Sequence, residues 1–228
     1  MEILSVLSKL IRELENLLIF SPIQIIHGRI GNMLRGLYYR RRLKHMGKGV
    51  TIDLGAIITH PENVSIGDNT YIDKYVIILS GQSRRNRITY FKENNNFKGE
   101  QGEVYIGKKC HLCPYTQIQG HGGVRLGDNI GVAAGSRIYS LSNHYRNLVD
   151  RQDPRKYLFT NQSTDENQTM ISGPVVMEDN SALGSNSVVL PGVTIGKGSW
   201  VGSMSLVLMD IEPNVIASGN PVKILKNK

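Results

Sequence analysis

The sequence predicts an all-β solenoid, a parallel β-helix wound from six-residue units. Three observations carry this. First, every sixth residue from Met177 is apolar: Met177, Leu183, Val189, Ile195, Val201 and Val207. The residue after each tends to be small or polar, as at Glu178, Gly184, Gly196 and Gly202, and the residue four places on is usually small, as at Ser181, Ser187, Ser199 and Ser205. Second, the same register recurs upstream. It runs through Ile52 and Ile58, through Ile66, Ile72 and Ile78, and through Ile106, Leu112 and Ile118. After a two-residue offset it resumes at Leu126, Val132 and Ile138. Third, 24 glycines with only 7% aromatic residues suit a fold of small residues and tight turns. A period of six fits neither a 3.6-residue helix nor an unbroken strand. One such coil cannot bury its apolar positions. Stacked coils align them in inward-pointing columns.

Composition sets the outer limits. A chain of 228 residues, 40% of them hydrophobic, is globular in size and content. Two cysteines, Cys110 and Cys113, argue against a disulfide-stapled secreted protein. Glu2 stands where a leader would be basic, and Lys9 interrupts the first apolar stretch, so the expected location is cytoplasmic. No apolar run reaches the ~18–20 residues that span a bilayer. The net charge of +8 calls for an anionic partner or surface. A polyphosphate cofactor, a membrane surface and nucleic acid all satisfy it, but no nucleic-acid reading module accompanies the charge.

In chain order, residues 1–20 carry Ile3, Leu7, Leu10, Leu14 and Leu17 at helical spacing, and Ser21-Pro22 is expected to end that helix. A second helix is expected over Ile30–Leu43, with the basic cluster Arg35, Arg40, Arg41, Arg42 and Lys44. Residues 1–46 read as a helical cap over the open end of the solenoid. They also read as a segment lying on an anionic bilayer surface. The two readings are compatible. The coils then run over 47–226 with two excursions, 81–103 and 140–174. The first is polar and Asn-rich, a loop or a partly ordered hairpin. Its Arg84, Arg85 and Arg87 suit either an anionic substrate or a solvated face. His60-Pro61 lies in a break of register and reads as a turn. Cys110 and Cys113 form a lone CxxC around the core position Leu112, so both are expected as core or near-core thiols. His121, within Gly120–Gly123, sits at a coil corner, as a structural residue or one that positions substrate. His144 opens the excursion 140–174, and a loop of that length on a rigid solenoid is a platform for catalysis.

The stretches IQGHGGVRLGDNIGVAAGSRI (118–138), SNHYRN (142–147) and VLPGVTIGKGSWVGSMSLVLMDIEPNVIASGNPVKIL (189–225) resemble the hexapeptide-repeat acyltransferases. The nearest subgroup is the bacterial sugar O-acetyltransferases of the galactoside and maltose type and their relatives in polysaccharide synthesis. The resemblance spans roughly residues 50–226. It implies a left-handed coil and a homotrimer with active sites between subunits. It implies acetyl-CoA as donor, and His144 as the catalytic histidine. The matching donor positions are Ser185, Gly202, Ser203, Lys223 and Lys226. His121, Asn143 and Tyr145 are assigned to the acceptor, and no metal is expected. The chain departs from the family pattern at Ala182, where a Trp is usual, and at Leu208-Met209, where a Thr-Lys pair is usual.

The chemistry needs such a histidine. A sugar hydroxyl is a poor nucleophile, and an imidazole with a pKa of about 6.5 takes its proton during attack on a thioester. No Ser or Cys stands in a nucleophile motif, which favours direct transfer over an acyl-enzyme. The partner that orients His144 is not legible, although Asp150 and Asp153 are near in sequence. The expected function is acetyl transfer from acetyl-CoA to a sugar hydroxyl in capsule, O-antigen or exopolysaccharide synthesis, with an acceptor that is lipid-linked if the basic segment rests on the inner face of the membrane. The alternatives are N-acetylation of an amino sugar, and a non-catalytic hexapeptide scaffold. A metal-dependent hydratase on the same coils would need His111, His121 and His144 to converge.

Overall fold

The computed structural model describes residues 16–83, 85–160 and 162–227. The helix expected over residues 1–20 lies mostly outside the described residues, and so does Arg84. The six-residue register becomes three parallel sheets. Met46, Ile66, Ile106, Leu126, Met177 and Ile195 pair in register along the first. Ile52, Ile72, Leu112, Val132, Leu183 and Val201 do so along the second. Ile58, Ile78, Ile118, Ile138, Val189 and Val207 form the third. All are buried and belong to one continuous core. At roughly 1.5–3 kcal/mol for each fully buried aliphatic side chain, these columns dominate the stability of the fold.

The small position of each hexapeptide has its own task. Thr70 Oγ1 donates to the Gly107 carbonyl at 2.7 Å, Ser136 Oγ to Gly184 at 2.8 Å, and Ser199 Oγ to Glu212 at 2.5 Å. Each of these three hydroxyls ties one turn to the turn of the following coil, whereas those of Thr116 and Ser181 are buried without a partner among the described residues.

Two short helices, α1 (Ser21–Ile25) and α2 (Gly28–Arg40), pack on the first coil. Ser21-Pro22 begins helix α1, where the sequence predicted an end. Pro22 stands in the first turn, where its missing N–H is not needed. Helix α2 stops at Arg40, short of the expected Leu43, because the chain must turn into the strand His45–Met46. The Arg42 and Leu43 amides close on the Tyr39 carbonyl at 3.0 and 2.9 Å. Helix α2 buries Gly31, Arg35 and Tyr39 at four-residue spacing. Arg35 is 0% exposed. It donates to the carbonyls of Ile52 (3.0 Å), Ile23 (2.6 Å) and Ile26 (2.9 Å), and to Asn32 Oδ1 (2.6 Å). It lies 3.7 Å from Asp53. One member of the expected basic face is therefore an internal clamp. At the other end, Lys223–Asn227 folds back antiparallel on Val215–Ser218.

Every break in the repeat falls at one corner, where the chain leaves the third sheet for the first. His60–Asn63 turns there, and so does Gly120–Gly123. Both long excursions leave from it. They are not simple loops. The first contains a strand, Ile88–Phe91, which pairs parallel with Thr169–Ser172. That strand pairs antiparallel with Leu141–His144 from the second excursion. The two excursions thus fold together as one small three-stranded sheet beside the solenoid.

Candidate active site

At the corner the backbone is crowded. Ser140 Oγ donates to the Gln119 carbonyl at 2.6 Å and accepts the Gly122 N–H at 2.9 Å. A Cβ on Gly122 would lie 2.3 Å from the Ser140 carbonyl oxygen, so only glycine fits there. The corner fixes His121, whose Nδ1 is 2.7 Å from the Gly81 carbonyl. A carbonyl oxygen only accepts, so Nδ1 carries the proton and Nε2 keeps its lone pair.

His144 ends its strand opposite Thr169. Thr169 Oγ1 donates to the His144 carbonyl at 2.5 Å and lies 3.2 Å from the Arg146 carbonyl. His144 Nδ1 is 2.8 Å from that Arg146 carbonyl oxygen and 3.2 Å from the Arg146 N–H, which points a donor at the same nitrogen. The Arg146 backbone holds the Nδ1 edge of the ring and sets its orientation. The orienting group is thus the backbone two residues on. Neither carboxylate named from sequence supplies it. Asp150 accepts the Gln152 amide at 3.0 Å. Asp153 accepts Arg155 Nη2 at 2.8 Å, the Tyr157 hydroxyl and Asn147. The Arg155 guanidinium holds the Asp153 carboxyl well below the usual carboxylate range. Tyr145 is exposed, with its ring centroid 4.9 Å from that of His144.

Among the acceptor residues expected from sequence, His121 and Asn143 line one cleft. Side chains alternate faces along a strand. Leu141 and Asn143 face this cleft, as does Met170 across from Asn143. His144 falls on the opposite face of the same small sheet, and Tyr145 continues past the strand end. The structure also adds Arg87, Gln119 and Gln168 to the cleft, which the sequence did not single out as a group.

The donor residues gather elsewhere. Ser185 and Ser203 lie in successive turns between the second and third sheets, where the Met204 amide donates to the Ser185 carbonyl at 2.8 Å. Gly202 abuts Ser218, since a Cβ there would lie 2.5 Å from its hydroxyl oxygen. Lys223 pairs with Ser218 and so flanks this column; Lys226 pairs with Ile216 farther along. The result is a narrow ledge of small residues with an exposed lysine at its side, a fit for a slender polyphosphate-bearing chain. The missing Trp at Ala182 has a neighbour in place. Trp200, 52% exposed, stands on the adjacent coil directly opposite Ala182.

The cysteines do not share one setting. Cys110 is buried, and burial pushes its thiol up to about 11. Cys113 lies nearer the surface than expected, 3.8 Å from the His111 ring. His111 belongs to the second sheet, stacked on Tyr71 and 3.3 Å from Asp73, away from His121 and His144. Among the described residues no three His, Cys, Asp or Glu side chains gather to hold a metal ion.

Comparison with known proteins places this architecture. The family model for the hexapeptide repeat of succinyl-transferase matches residues 174–203. The chain is 25% identical to a dTDP-4-amino-4,6-dideoxy-D-glucose acyltransferase of Escherichia coli, over 81% of this chain and 82% of that one. It is 43% identical to the galactoside O-acetyltransferase of Escherichia coli K12, over 71% of this chain and 63% of that enzyme, slightly under two thirds of its length. Two solved structures share the fold. The N-acyltransferase AntD from Bacillus cereus, in complex with dTDP and 3-hydroxybutyryl-CoA, superposes with a TM-score of 0.66 at 22% identity, over 85% of this chain and 88% of that one. A hexapeptide-repeat acetyltransferase from Vibrio cholerae, complexed with acetyl coenzyme A, gives 0.51 at 17% identity, over 91% and 84%. The fold is a left-handed parallel β-helix of hexapeptide coils. The chain carries the hexapeptide repeat and is similar in sequence to sugar acyltransferases built on it.

Proposed function

We propose that the protein transfers an acetyl group from acetyl-CoA to a sugar hydroxyl in the synthesis of a surface polysaccharide, with His144 as general base. The single observation that carries this reading is the anchored imidazole. The Arg146 backbone holds the Nδ1 edge, carbonyl at 2.8 Å and N–H at 3.2 Å, so Nε2 is the nitrogen turned to the acceptor. It removes the proton as the acceptor oxygen attacks the thioester carbonyl. The tetrahedral intermediate collapses with loss of CoA thiolate, which recovers the proton from His144. The donor lies along the ledge at Ser185, Gly202 and Ser203, with Lys223 and Lys226 toward its phosphates. The relatives support an acyl-CoA donor and a sugar acceptor.

Two features favour a homotrimer. The donor ledge is at the corner between the second and third sheets, and His144 belongs to the corner between the third and first. A neighbouring subunit that brings its ledge to this histidine completes the site. Helices α1 and α2 cover the first coil, which begins at the strand His45–Met46 and not after residue 46 as the sequence suggested, and α2 rests on the inner face of the membrane. Helix α2 exposes Ile30, Met33 and Leu37 in one stripe, flanked by Arg29, Arg40 and Arg41. Acetylation of an amino group is the second reading, favoured by the amino-sugar acyltransferase among the relatives.

The test is release of CoA thiol from acetyl-CoA with hydroxyl and amino sugars as acceptors. His144→Ala should lower kcat by roughly 10²–10⁴-fold while CoA binding persists. Unchanged turnover in that variant would refute the role of His144. Transfer to amino sugars alone would replace the O-acetyl reading with the second.

A further inference from the structure

The cleft at the corner has two lobes, of about 380 and 310 Å³, that meet at Arg87 and His121. The wall of the first includes Arg85, Arg87 and Phe91, and that of the second Gln119, Asn143 and Phe159. No described residue of either lining is a carboxylate. The nearest acid, Asp165, is already engaged by Arg85 Nε at 2.6 Å and by the Asn86 amide at 2.9 Å. Among the described residues Arg87 makes one bond, 3.1 Å from Nη2 to Ser83 Oγ, and neither its Nε nor Gln119 Oε1, both buried, has a partner. Burial and the like charge of Arg85 both disfavour the Arg87 cation, and Asp165 compensates only part of this.

A half-buried guanidinium without a carboxylate is costly unless a ligand supplies the anion. The fork of an arginine matches the oxygens of a phosphate, and Arg87 is the arginine of this lobe that presents one, since Arg85 is held by Asp165. The second lobe has a different character. Its amides, the buried, unbonded Gln119 oxygen and the exposed Phe159 ring suit the hydroxyls and apolar face of a sugar. We propose that this cleft binds a phosphoester-linked sugar, with Arg87 anchoring the phosphate and the sugar lying beside Asn143 and Gln119. This rests on the sugar-acceptor reading above and narrows the acceptor to an activated or lipid-linked sugar phosphate. The sugar end then lies against Asn143, on the face of the small sheet opposite His144 and near the strand end that carries this base.

The experiment is calorimetry on the full chain with three separate probes: inorganic pyrophosphate, uridine diphosphate and CoA. The variants are Arg87→Gln and, as an exposed control of equal charge, Arg41→Gln; thermal melts confirm that each is folded. The proposal expects both diphosphates to bind the wild type. Arg87→Gln should weaken them by about tenfold or more, as loss of a charged hydrogen bond implies, while Arg41→Gln leaves them alone. CoA affinity should be the same in all three proteins. Failure of both diphosphates to bind, or equal binding by wild type and Arg87→Gln, overturns the inference. A loss in Arg87→Gln that appears for CoA and not for the diphosphates also overturns it, since the cleft would then hold the donor's phosphates. If CoA fails to bind even the wild type, the proposed acyl transfer falls, and the diphosphate titrations still decide the nature of the cleft.

Discussion

Replacing Arg35 by methionine should release helix α2 from the solenoid. The volume is nearly conserved, so the result depends on polar groups and not on a cavity. Replacing both members of a buried ion pair by apolar residues is often neutral, whereas removing one member costs about 3–5 kcal/mol. Here Asp53 is the weaker partner at 3.7 Å, and it keeps the Tyr71 hydroxyl and the Leu54 amide, both at 2.7 Å. The stronger acceptors are the backbone carbonyls of Ile52, Ile23 and Ile26 and the side-chain oxygen of Asn32. Methionine satisfies none of them. Each buried acceptor left alone costs about 1–3 kcal/mol. Water reaches some of them once the helix shifts, so a full sum overshoots. About 3–5 kcal/mol is the reasonable range for the loss. That equals roughly two to three and a half orders of magnitude in the opening equilibrium. Hydrogen exchange of the amides over 28–40 reads this directly, because solenoid segments open locally. Arg35→Met should lose protection there and over the first coil, while the coils from Val175 onward keep theirs. Protection within about threefold of wild type, under half a log unit of free energy, would refute the clamp.

Two further outcomes follow from the structure. Arg155 depresses the Asp153 carboxyl, so its contribution is fully present above the unfolded value of about 4 and is lost as pH falls through the lower folded value. Asp153→Asn should therefore loosen residues 147–157 at neutral pH, seen as faster limited proteolysis, and differ less and less from wild type in hydrogen exchange as the medium becomes strongly acidic; a gap that persists unchanged into acid contradicts the assignment. On the membrane, the full chain should float with vesicles containing anionic lipid and not with neutral ones, and Met33→Asp with Leu37→Asp should abolish flotation. Equal behaviour of that double variant and the wild type would remove the membrane contact.

The hexapeptide register was legible in the sequence from Ile52 to Val207, and only the end coils at Met46 and at Ile211 and Ala217 were missed. Positions such as Ile66, Ile72 and Ile78 are apolar because each must face inward, and a fixed period leaves no freedom in which coil stacks on which. The Gly120–Gly123 corner and the placing of His144 on an excursion were legible for the same reason: they are where the period fails. Other features depend on residues far apart in the chain. Arg35 looked like one more cation of a basic helix, and only the approach of Ile23, Ile26 and Ile52 makes it internal. The polar run 81–103 had no period of its own, because the strand Ile88–Phe91 exists only through its partner Thr169–Ser172. His144 finds its orienting groups in the backbone at Arg146, groups every residue has and no sequence can mark. Local pattern thus determined the solenoid, since its contacts repeat along the chain. Tertiary structure alone decided the cleft of Arg87, Gln119, His121 and Asn143, since it forms where two irregular excursions meet at one corner of a regular coil.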